Sequence, residues 1–203
     1  MTDKVQIISE ESQKKLQEIV NKYPNSKSAI MPALYLAQEE LGWLSDSAFN
    51  WVSTQLDLPL AHVKEVASFY TMYYKKPVGT YHIQVCRTLS CMICGAFDIL
   101  SFLKEKFKVN QGEITLDGMW SYEAVECLGS CGTAPMAQIN DVFFEKLTVS
   151  SLEKILDQIA TEKPNLRFST LKGELSKGLI NQPRSQVWNK DIFDVIDGNN
   201  SKE

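Results

Sequence analysis

The chain has 203 residues, 44% of them hydrophobic and 10% aromatic, enough for one large buried core or two small ones. Its 21 Lys and Arg against 25 Asp and Glu give a net charge of -4, with no basic stripe to steer nucleic acid, which argues against such a partner. The amino terminus, Met1-Thr-Asp-Lys-Val-Gln-Ile-Ile-Ser-Glu-Glu, lacks the parts of a secretory signal, and no run approaches the ~18 apolar residues that cross a bilayer, so a cytoplasmic chain without direct membrane insertion is expected.

Residues 9–75 carry only helical periodicity. Leu16, Ile19, Val20 and Tyr23 share one face of a first helix. A second covers about 28–41, with Pro32 in its first turn, Ile30, Leu34, Ala37 and Leu41 inward, and a stop at Gly42. Ser45 or Asp46 can cap a third helix carrying Phe49, Val52 and Leu56. Pro59 opens a fourth carrying Val63, Val66, Ala67 and Tyr70. Four short helices, none long enough to stand alone in water, predict a small bundle over residues 1–78.

From Tyr81 the period changes to two: His82 and Gln84 alternate with Ile83 and Val85, predicting a half-buried strand that ends at Cys86. A helix is expected over 94–107 with Phe97, Leu100 and Phe107 inward, then a strand over 121–127. Segments 136–139 and 142–144 flank Asn140-Asp141 as a hairpin, and a last helix, beginning at Thr148 or at Ser150, where Ser150-Ser151-Leu152-Glu153 fits a capping box, buries Leu152, Ile155, Leu156 and Ile159. This order over 79–162, strand, helix, strand, hairpin, helix, suits a thioredoxin-like layer. The fold class expected is therefore α+β, a helical bundle followed by that layer. Residues 163–203 hold only scattered apolar side chains, among them Leu166, Phe168, Leu171, Trp188 and Phe193, and read as an extension that docks on a partner.

All five cysteines fall between residues 86 and 131, as Cys86-Arg-Thr-Leu-Ser-Cys91-Met-Ile-Cys94-Gly and Cys127-Leu-Gly-Ser-Cys131-Gly. Cys91 and Cys94 at a helix start resemble a dithiol redox pair, which leaves three cysteines unexplained. Cys86, Cys91 and Cys94 match a plant-type ferredoxin run, which orphans one of the second group. Two pairs, Cys86 with Cys91 and Cys127 with Cys131, each in a loop after a strand, would supply four soft thiolates. Spacing alone leaves zinc and an iron-sulfur cluster equally open. Gly129 and Gly132 beside Cys131 allow backbone amides to turn toward sulfur, in a zinc knuckle as in a cluster.

The surrounding letters resemble the thioredoxin-like [2Fe-2S] subunit of respiratory complex I, the NuoE family, over about residues 10–162. The resemblance rests on Ala37-Gln-Glu-Glu-Leu-Gly-Trp-Leu-Ser45, Val66-Ala-Ser-Phe-Tyr-Thr-Met-Tyr73, Pro77-Val-Gly-Thr-Tyr81, Val125-Glu-Cys127-Leu-Gly-Ser-Cys131 and Ala134-Pro-Met-Ala-Gln-Ile-Asn140. It implies that Cys86, Cys91, Cys127 and Cys131 bind one [2Fe-2S] cluster and that Cys94 is extra. It further implies an electron-transfer subunit of NADH:quinone oxidoreductase, peripheral on the cytoplasmic face of the membrane, beside a larger flavoprotein that holds FMN and binds NADH. Asp57 stands where the family usually has glycine, and Pro135 where thioredoxin-like folds often carry a cis proline.

The rival assemblies are a diaphorase subunit of an NAD-linked hydrogenase or formate dehydrogenase and, from another class, a zinc-stabilised adaptor. No G-x-G-x-x-G or G-x4-G-K-[ST] occurs, so hydride chemistry is assigned to the partner and no catalytic site is expected here. His62 and His82 are read as surface or capping residues. Phe69, Tyr70, Tyr73 and Tyr74 are read as core or interface, and Glu39-Glu40 and Lys104-Glu105-Lys106 as solvated faces.

Overall fold

The computed structural model describes residues 8–171. The chain divides into two compact units, one running to Pro77 and taking in a stretch from Ser169, the other running from Val78 to Phe168.

In the first unit, α1 (Glu10–Val20) is capped by Ser9, whose hydroxyl accepts the Ser12 N–H at 3.2 Å. It buries Leu16 and Ile19. Tyr23 lies past its end and is exposed, contrary to the expectation that it shares the buried face. A 3-10 turn (Ser26–Ala29) leads into α2 (Ile30–Leu41), which buries Ile30, Ala33, Leu34, Leu36 and Ala37. Ser45, not Asp46, caps α3 (Asp46–Leu56), and α3 ends on Asp57 at φ 51°, the left-handed geometry that favours glycine. Pro59 precedes α4 (Leu60–Phe69), which buries Val63 and Ala67, while His62 stays partly exposed beside Glu65.

The aromatic segment after α4 is fixed by hydrogen bonds rather than by helical spacing. Buried Gln38 donates to the Met72 carbonyl at 3.0 Å and accepts the Tyr74 N–H at 2.6 Å. The Tyr73 hydroxyl donates to the Met31 carbonyl at 3.0 Å. Tyr73 is thus core, edge-on to Tyr35, whereas Phe69 is 79% exposed. Glu39 is more than a solvated charge, since it accepts from the Ser169 hydroxyl and the Thr170 N–H.

The second unit is a four-stranded sheet ordered β2-β1-β3-β4, from β1 (Tyr81–Cys86), β2 (Trp120–Val125), β3 (Ala137–Ile139) and β4 (Val142–Phe144). β1 and β2 are parallel with Tyr81 opposite Trp120 and Cys86 opposite Val125; β1–β3 and β3–β4 are antiparallel. Short α5 (Leu89–Ile93) and α6 (Ala96–Phe107) form the crossover from β1 to β2, and α7 (Val149–Glu162) follows β4. Leu152, Ile155, Leu156 and Ile159 of α7 share a core with Ile99, Leu100 and Leu103 of α6 and with Ile83 and Val85.

Within this unit the structure departs from expectation at several positions. β1 is buried along its whole length, because it is a central strand flanked on both sides. His82 is accordingly 2% exposed, with Nδ1 2.8 Å from the Ser121 hydroxyl and Nε2 3.1 Å from a Glu123 oxygen. The helix expected over 94–107 begins at Ala96, after Gly95 at φ 105°, and the short α5 that precedes it was not anticipated. Phe97 faces solvent, since Ala96, Ile99, Leu100 and Leu103 set the inner stripe. Of the two expected starts of the last helix, Thr148 is the one that caps α7: its hydroxyl accepts the Ser151 N–H, and the Ser151 hydroxyl accepts the Thr148 N–H in return.

The Ala134-Pro135 bond is cis. Residues 164–168 pack on this unit: Leu166 is 1% exposed, and the Tyr81 hydroxyl donates to the Pro164 carbonyl at 2.8 Å. Lys106 pairs with Glu153 and Asp157 of α7, so this charge also ties two helices. The remaining apolar positions of the extension, including Trp188 and Phe193, lie outside the described residues. Among the described residues no helix is long and apolar enough to cross a membrane.

Candidate metal centre

The parallel pairing of β1 with β2 explains why the two cysteine groups meet. Cys86 is the last residue of β1 and stands opposite Val125, so Cys127 follows two residues beyond, at the same end of the sheet. The Arg87 N–H donates to the Val125 carbonyl at 3.0 Å, and the Arg87 guanidinium to Glu126 at 2.7 Å, holding the two exits together. Cys91 lies on α5, and Cys131 opens a 3-10 turn (Cys131–Thr133).

The thiols stand two and two. Cys127 and Cys131 have their sulfurs 3.6 Å apart, and Cys86 and Cys91 are joined by a hydrogen bond between their side chains. Charge interactions reach across, from Cys86 to Cys127 and Cys131 and from Cys91 to Cys131. Cys86 and Cys91 are buried, whereas Cys127 and Cys131 are exposed. Among the described residues no group of three or more His, Cys, Asp and Glu side chains is arranged to hold a single metal ion.

Hydrogen-bond donors surround the sulfurs. The Thr88 hydroxyl is 3.2 Å from the Cys86 sulfur and also reaches Cys127; the Ser90 hydroxyl reaches Cys131. The Gly129 N–H donates to Cys127 at 3.4 Å, and the Leu128 and Met136 amides serve Cys86 and Cys91. These contacts set the acidities. Desolvation opposes ionisation of Cys86, but the hydrogen bonds from Thr88 and Leu128 outweigh it and hold the thiol below its ordinary value. Burial, followed by the Cys86 hydrogen bond, pushes Cys91 up to about 11. The Gly129 amide lowers Cys127, and the neighbouring Cys127 raises Cys131.

All four predicted site residues therefore converge on one end of the sheet. Cys94 stands apart at the C-terminal cap of α5. It is exposed, unlike its buried neighbour Cys91. Thr88 and Ser90 went unnoticed in the sequence, although hydroxyls set between two cysteines are a usable signal. The expectation for Gly129 holds at Cys127, where its amide meets sulfur.

The family model described as thioredoxin-like [2Fe-2S] ferredoxin matches residues 16–160. An NADH-quinone oxidoreductase subunit of Rickettsia bellii is 43% identical over 149 residues, covering 72% of this chain and 89% of that protein. The Rickettsia prowazekii protein of the same name is 40% identical over 149 residues, covering 72% and 84%. A chain in the crystal structure of air-oxidised NAD+-reducing [NiFe]-hydrogenase superposes with a TM-score of 0.57 at 23% identity. That match covers 65% of this chain but only 23% of the hydrogenase chain, a likeness of fold alone. By its family match and its rickettsial relatives, the chain belongs to the thioredoxin-like [2Fe-2S] ferredoxins.

Proposed function

We propose that Cys86, Cys91, Cys127 and Cys131 hold one [2Fe-2S] cluster, each of the two pairs serving one iron, and that the chain is a one-electron-transfer subunit of the NADH-oxidising module of complex I. The observation that carries this reading is the set of four thiols, paired two and two at one end of parallel strands and ringed by N–H and O–H donors. A donor set of sulfur alone suits a thiolate-ligated cluster. When bound, such a cluster stores one electron. The residues of the chain fix the sulfurs and offer Thr88, Ser90, Leu128, Gly129 and Met136 as donors that stabilise negative charge on them.

On this reading FMN and NADH reside on a partner flavoprotein, the whole assembly is the oxidoreductase, and this chain sits at the cytoplasmic face of the membrane through the complex. The names of the relatives, as subunits of NADH-quinone oxidoreductase, support membership of such an assembly. The helical region 1–78 and the part of the extension beyond residue 171 are assigned to docking within it, since Leu166 and Ser169 already pack on the chain itself. A diaphorase subunit of an NAD-linked hydrogenase or formate dehydrogenase, which would use the same four thiols, is the second reading, and co-purifying subunits separate the two.

The test of the ligand set is single Cys-to-Ser substitution with iron and acid-labile sulfide measured on the anaerobically purified chain. Substitution of Cys86, Cys91, Cys127 or Cys131 is expected to abolish or strongly deplete the cluster, whereas Cys94→Ser keeps it. Stoichiometric zinc in the unsubstituted chain, without iron or sulfide, would establish the adaptor reading instead.

A further inference from the structure

The turn that carries Cys131 is gripped from behind by a carboxylate. Glu145 follows β4 directly and is 9% exposed. One of its oxygens accepts hydrogen bonds from the hydroxyls of Ser130 and Thr133, the latter at 2.7 Å. These two residues bracket Cys131 and Gly132, and the Thr133 N–H donates to the Ser130 carbonyl at 3.1 Å to close the turn between them.

Glu145 is itself anchored by its chain neighbours. The Lys146 N–H donates to the Thr133 carbonyl at 2.8 Å and the Leu147 N–H to the Pro135 carbonyl at 2.9 Å, so the segment after the hairpin runs along the cysteine loop. The two hydroxyls also lie 2.7 Å from each other, and that of Thr133 3.1 Å from the Ser130 carbonyl, but an ionised carboxylate, an acceptor only, is the strongest acceptor within reach of both protons.

We propose that Glu145 is a positioning residue that fixes the direction of the Cys131 sulfur and, as a buried negative charge one residue removed from that ligand, holds down the midpoint potential of the centre. The proposal rests on the four-thiol reading above. Reduction adds one negative charge to the centre, and an anion in a poorly solvated place nearby disfavours that step. A neutral side chain of the same shape separates the two roles. Gln keeps a carbonyl oxygen for both hydroxyls and removes the charge; Ala removes both; Ser130→Ala with Thr133→Val removes the donors and keeps the charge.

The experiment is an EPR-monitored redox titration of the full-length chain, together with the rate at which a chelator strips iron. Glu145→Gln is expected to hold iron at close to the wild-type rate while its reduced-to-oxidised ratio at fixed potential rises several-fold; a tenfold rise is about 59 mV for one electron. Glu145→Ala is expected to lose iron at least severalfold faster. The double variant should also lose iron faster, without the rise in potential. A Glu145→Gln midpoint equal to wild type, or wild-type iron loss in both Glu145→Ala and the double variant, overturns the proposal. Should Glu145→Ala fail to fold, the Gln and double variants decide it. Absence of any cluster from the wild-type chain would sink the ligand reading itself, an outcome distinct from failure of the Glu145 variants alone.

Discussion

Each thiol pair contains one member held toward ionisation and one pushed away from it: Cys86 against Cys91, Cys127 against Cys131. Near neutral pH the raised members keep their protons in the metal-free chain, and metal can bind only by expelling them. Apparent affinity for a thiophilic metal should therefore rise with pH until Cys91 ionises by itself at about 11. Proton release on loading, measured in weakly buffered solution, should fall over the same range; a pH-independent affinity would contradict this. Thr88 offers a second prediction. Its hydroxyl serves Cys86 and Cys127 and favours the more negative, reduced state, so Thr88→Val should lower the midpoint potential while Thr88→Ser leaves it near wild type. The four cysteines were legible because chemistry-bearing residues stood in two tight groups. Glu145 was not, because it reaches the site only through the β3–β4 hairpin, and no sequence period links it to Cys131.

Elements were read well where one periodicity governed a whole segment, as in the faces of α3 and α7, and poorly at their joints. The short α5 before Gly95 carries too few turns to show a period, and the burial of His82 depends on strands far away in sequence that flank β1. Gly79, just before β1, shows the same long-range dependence. A Cβ there would lie 2.6 Å from the Trp120 carbonyl carbon and 2.8 Å from the Ser121 nitrogen, both of them backbone atoms that cannot swing aside. Gly79→Ala should therefore cost about 3 kcal/mol in denaturant unfolding, the upper range for overpacking. Asp57→Gly, at the left-handed end of α3, should act the other way and stabilise by roughly 0.5–1 kcal/mol. An unchanged midpoint of unfolding in either variant would count against these local geometries.

At the scale of the molecule, the chain contributes a sheet end carrying four thiols and a separate helical unit, and the proposed assembly supplies what it lacks. A tagged full-length chain expressed in its source cell should co-purify with a flavin-containing subunit that oxidises NADH, in substoichiometric amounts or none for variants that cannot dock. The central claim, that the thiols hold a two-iron cluster and not zinc, is tested most directly by EPR and metal analysis of the anaerobically purified full-length chain before and after reduction. The account predicts two irons and two sulfides per chain, no signal in the oxidised protein and one half-integer spin per chain on reduction, matching the [2Fe-2S] family. A colourless protein with stoichiometric zinc and no signal after reduction would contradict it.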